Sequence, residues 1–160
     1  MTPKTELQDL FAHAAEHAAL IFEKKGEFVP MWHAIDRDGE NLVIVTPWAD
    51  HDQKHVIVDH LRAFFRERGV TRYAFMCEAW SLVTPDLNDY DRYAGRLNEH
   101  PDRREILTIQ AEDKDGNQVA GWYYILRPEH APATLSPLTM SDADHTEGAL
   151  AGMLIERGKP

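Results

Sequence analysis

The segment TRYAFMCEAWSLV, Thr71 to Val83, is apolar on both of its faces. Side chains alternate across a strand. One parity carries Tyr73, Phe75, Cys77 and Ala79, and the other Ala74, Met76, Glu78, Trp80 and Leu82. QVAGWYYILR, 118 to 127, repeats the pattern, with Val119, Tyr123 and Ile125 against Ala120, Trp122, Tyr124 and Leu126. Upstream, Trp32 alternates with His33. A sheet with one wet face alternates cleanly between apolar and polar, and these segments do not. Both faces therefore need a cover: helices, the C-terminal tail or a second subunit.

The covers are legible in part. From Thr5 to about Lys25, Leu7, Leu10, Phe11, Ala14, Ala18, Ile21 and Phe22 recur at helical spacing. Thr5 is the expected N-cap, and Gly26 the stop after Lys24 and Lys25. A second helix is expected over DHDQKHVIVDHLRAFFRERG, with an Asp50/Gln53 capping box, a stripe of Val56, Ile57, Leu61, Phe64 and Phe65, and Gly69 at its end. Two hairpins complete the core: 28–35 with 41–48, and 104–113 with 118–127, each across an Asp-Gly turn. Pro30 belongs at an edge, a bulge or a strand start. The polar stretch 84–104 reads as a long loop, with a short helix near 90–97.

The expected fold is α+β, a single domain with a mostly antiparallel five-stranded sheet and helices packed on it. Its element order is α-β-β-α-β-β-β, then a short helix at 146–157. Residues 1–128 form the compact part, and 129–160 a proline-containing tail. If the second helix crosses the sheet, the third strand need not lie beside the second. The order resembles that of profilin-like and roadblock-like domains, a likeness of element order alone that implies no function.

Composition narrows the function. The chain has 160 residues and a formal charge of -10, from 17 basic and 27 acidic residues. Such a field repels a phosphate backbone, so nucleic acid is not an expected partner; a protein with a basic surface is compatible. No apolar run is long enough to span a membrane, and no signal sequence opens the chain. The single cysteine, Cys77, excludes an internal disulfide framework. A cytoplasmic protein of a bacterium or a phage-infected cell is the expectation, with no cofactor.

One motif argues for chemistry. HAAEH, His13 to His17, matches H-x-x-E-H, the pattern of the inverted zinc peptidases, in which two histidines bind the metal and a glutamate moves the proton. Spacing of i, i+4 puts His13 and His17 on one side of the helix. Against the apolar stripe, however, His17 lies roughly 80° and His13 roughly 120° from the centre, with Glu16 on the far side. A glutamate facing bulk water has no dry site to work in. Nothing near in sequence identifies a third ligand. A zinc hydrolase using His13, Glu16 and His17 is therefore the lesser reading, and no metal site is assigned.

Two further clusters read as surface chemistry. HDQKH, His51 to His55, lies at a helix N-terminus whose dipole repels a cation. Glu99, His100 and Asp102 form an acid–base group only if Ser81 or Cys77 approaches as nucleophile. No P-loop, G-x-S-x-G elbow or dinucleotide fingerprint occurs.

Glu78 is the exception on its strand, a carboxylate among apolar neighbours. A buried carboxylate must be paired, hydrogen-bonded or protonated. It serves either as a ligand or acid–base residue in a pocket with Trp80, Trp32, Trp122 and Tyr124, or as a structural partner of an arginine such as Arg72. Cys77, on the opposite face, reads as a small core residue. The favoured expectation is a non-enzymatic protein-interaction or regulatory module that self-associates as a dimer. A small-molecule-binding domain or enzyme built on Glu78 is the alternative.

Overall fold

A computed structural model describes residues 2–47, 51–81, 88, 92–93, 96, 99–141 and 153. Helix α1, Pro3–Lys25, is two residues longer than the periodicity indicates, because Thr2 rather than Thr5 caps it. The Thr2 hydroxyl accepts the Thr5 N–H at 3.2 Å, and Pro3 fills the first turn, where no N–H is missed. Gly26 ends the helix with φ 72°. The stripe buries Leu7, Phe11, Ala14, Ala18 and Phe22, as its spacing requires.

Strands β1, Met31–Ile35, and β2, Asn41–Val45, form the first hairpin. Pro30 sits just ahead of β1, where its missing N–H costs nothing. Strand β3, Arg72–Ser81, follows helix α2, His51–Arg68. Strands β4, Arg104–Asp113, and β5, Gln118–Leu126, form the second hairpin. The two turns, DRDGE and DKDGN, share one construction. Asp36 Oδ1 accepts the N–H groups of Asp38 and Glu40, and Asp113 Oδ1 those of Asp115 and Asn117, all at 2.9 Å. Gly39 and Gly116 hold φ 80° and 85°, left-handed conformations that strain other residues.

The architecture is the expected α+β single sheet, antiparallel throughout, with seven strands instead of five. Its order is β2-β1-β3-β4-β5-β6, with β7 also on β5. Helix α2 carries the chain over the sheet, so β3 pairs with β1 rather than β2. The two added strands, β6 at Thr134–Leu135 and β7 at Thr139–Met140, come from the proline-containing tail, which folds back along β5. Gly121 makes room for it: a Cβ there would stand 2.8 Å from the Thr139 carbonyl oxygen and 3.0 Å from the Phe11 ring. The expected final helix at 146–157 and most of the 84–104 loop lie outside the described residues.

A core lies on each face of the sheet, and on the second face α2 covers the β1–β3 part. Helix α1 packs Leu7, Phe11 and Phe22 over Met76, Leu107 and Ile109. On the other face, α2 packs Val58, Leu61 and Phe65 over Trp32, Tyr73 and Phe75. The α2 stripe differs from expectation at one turn. Val58 is buried and Val56 is 55% exposed, because Val58 continues to Leu61 and Phe65 at i+3 and i+7. Trp32 lies at the centre of this core, 4.3 Å from Phe75 by ring centroid, and its Nε1–H donates to Thr46 Oγ1 at 2.9 Å. No helix among the described residues is long and apolar enough to cross a membrane.

Candidate functional site: a histidine cluster between α1 and β1

Alternation along β1 turns Met31, His33 and Ile35 toward α1 and Trp32 and Ala34 toward α2. His33 therefore meets the histidines of HAAEH. His17 Nδ1 and His33 Nε2 are 2.8 Å apart, a hydrogen bond in which one ring donates and the other accepts. The ring centroids of His17 and His33 are 4.8 Å apart, and those of His13 and His33 5.7 Å. His33 is buried, His17 half-buried and His13 exposed. Burial first, and then the neighbouring His17 and His13, pushes His33 down to about 4, so this imidazole is neutral at ordinary pH.

The cluster lines an open cleft of about 460 Å³ beside β2, with Glu16, Leu20 and Val43 on its walls. His13 and His17 flank the buried face as the periodicity indicates, whereas Glu16, though exposed, lies on the wall of the same cleft rather than away from it. The part sequence spacing missed is His33, which arrives from a strand after a helix stop and a turn. Among the described residues, no three side chains of metal-ligating type converge on one point as they stand.

The residues proposed to surround Glu78 are not brought together. Glu78 and Trp80 lie on the α1 face, with Ala74 and Met76. Trp32 is sealed in the α2-side core, and Trp122 and Tyr124 share that opposite face through their pairing with Thr108 and Ile106. A pocket of Glu78 with Trp32, Trp122 or Tyr124 is thus precluded by parity. Glu78 is also exposed rather than buried, since it sits where α1 no longer covers β3. Its Oε1 accepts the Phe28 N–H at 3.0 Å; partial desolvation raises its pKa, and that N–H opposes the rise. Arg72 pairs with Glu6 at 3.8 Å instead. Trp80 carries the Arg103 guanidinium 4.8 Å from its ring centroid, and Tyr124 that of Arg104 at 3.8 Å. Trp122 forms an edge contact with Tyr124 and finds no acceptor for its buried Nε1–H among the described residues.

His100 is buried, and its Nδ1 accepts the Asp102 N–H at 2.9 Å, capping a turn. Glu99 pairs with Arg96 at 3.3 Å. Burial pushes the Cys77 thiol up to about 11, which removes the thiolate a nucleophile needs and matches a small core residue. In HDQKH, His55 is exposed, and the His51 side chain and Asp50 lie outside the described residues. Sequence reasoning also passed over Glu112, a buried carboxylate that accepts hydrogen bonds from Tyr73 Oη and Gln118 Nε2.

No protein-family model matches this sequence, and comparisons with curated proteins and with solved structures find no match either.

Proposed function

We propose that this protein is a non-enzymatic cytoplasmic interaction module that self-associates by pairing the β2 strands of two copies. One edge of the sheet supports this reading. Thr46 N–H donates to the Pro30 carbonyl and Asp36 N–H to the Glu40 carbonyl, so the even-numbered residues of this strand bond to β1. Asn41, Val43 and Val45 then point their N–H and C=O groups outward, and no strand among the described residues meets them.

Natural edges are blunted by charge, proline, bulges or a covering segment. The β5 edge is covered, by β6 and β7. The β2 edge, NLVIV, has no charge and no proline, and Val43 and Val45 are 56% and 52% exposed. Two copies related by a two-fold axis through Val43 would pair antiparallel, Asn41 opposite Val45. The acidic remainder of the surface suits a further partner of basic character.

Sedimentation equilibrium of the wild type and of Val43→Lys tests this. A wild-type dimer that the lysine converts to monomer, with an unchanged circular dichroism spectrum, is the expected result. A wild type that stays monomeric at every concentration would refute the reading.

A further inference from the structure

We propose that His13, His17 and His33 form a three-imidazole site for one divalent ion of the zinc class. The site is independent of the β2 pairing. Two ligands come from adjacent turns of one helix and the third from a central strand under it, so the backbones that carry them are fixed by the α1-side core. Zinc binds imidazole nitrogen at about 2.0–2.1 Å, which in a tetrahedral site places ring centres about 5 Å apart. The 4.8 Å spacing of His17 and His33 is close to that value, and His13, 5.7 Å from His33, reaches it by turning inward.

Metal entry requires local adjustment only. The 2.8 Å nitrogen–nitrogen contact opens by roughly half an ångström to the separation a shared tetrahedral ion sets. The proton between the two rings moves to the far nitrogen of the donor ring, so none is gained or lost. His13, exposed on the helix, turns inward to supply the third nitrogen. The cleft of about 460 Å³ gives the ion a way in and leaves a fourth position for water. Glu16 on the same wall adds a negative charge that favours a cation. An all-imidazole donor set selects zinc, nickel, cobalt or copper over magnesium and calcium, which take oxygen.

The test uses untagged, chelator-treated protein titrated with zinc alone, followed by calorimetry and native mass spectrometry. One zinc per chain is expected, with a raised Tm. His13→Ala and His17→Ala, both at accessible positions, should each weaken binding about tenfold or more, while His55→Ala leaves it unchanged. His33→Gln should do the same as the helix variants; should it fail to fold, the His13→Ala/His17→Ala pair decides. Absence of zinc at equimolar concentration, or equal binding by the double variant, would overturn the proposal.

Discussion

At the scale of single residues, His33 couples the fold to pH. Its imidazole is held neutral by burial and by His17 and His13, down to about 4 against an ordinary value of 6.5. Above pH 6.5 the side chain is neutral both folded and unfolded, and the fold carries no penalty. Between 6.5 and 4 the unfolded chain takes up a proton that the folded chain refuses, so stability falls as pH falls. The loss is on the order of 3 kcal/mol, complete below pH 4. Urea unfolding of the metal-free protein at pH 7.5 and pH 4.5 should show the decline, and His33→Gln should remove most of it. The residue scale is also where the sequence was least legible. Glu78 looked buried because its neighbours in the chain are apolar, yet burial depends on where α1 stops covering β3. His33 is not legible as a ligand in the sequence, because its partners lie in another element.

At the scale of elements, periodicity is informative when a face is long. The α1 stripe spans the whole helix, and its buried residues follow from spacing alone. In α2 the apolar residues Val56, Ile57 and Val58 are contiguous, and only the packing on Trp32 and Tyr73 selects Val58. Strands of two residues, such as β6 and β7, have no period to detect, so the tail's return to the sheet was invisible in the sequence. The Asp-Gly turns were legible because few residues accept their backbone conformation. Strand β2 makes a prediction of this scale. The outward N–H of Val43 takes no part in the β1 ladder, whereas that of Ile44 faces β1. Val43→Pro should therefore lower stability little, and Ile44→Pro by about 1–3 kcal/mol, the cost of breaking a ladder hydrogen bond and orphaning its acceptor. Thermal denaturation of the two variants at low concentration, where association is absent, reads the difference.

For the molecule as a whole, the element order, the antiparallel sheet and the two hairpin pairings followed from the sequence, and the neighbours of β3 did not. The crossover of α2 decides that β3 lies on β1, and this leaves β2 at the rim. Placement at the rim gives an uncharged apolar strand its significance: the same residues at the sheet centre would be ordinary core. A chain of net charge -10 opposes its own association everywhere else on its surface. The proposed pairing at β2 would place the contact on a rim strand free of charge. Backbone amide hydrogen exchange, followed residue by residue across a dilution series, tests that claim most directly. The account predicts that the Leu42 and Ile44 amides are protected at every concentration, while Val43 and Val45 exchange freely when dilute and become protected as concentration rises. Free exchange of Val43 and Val45 at the highest concentration would contradict it.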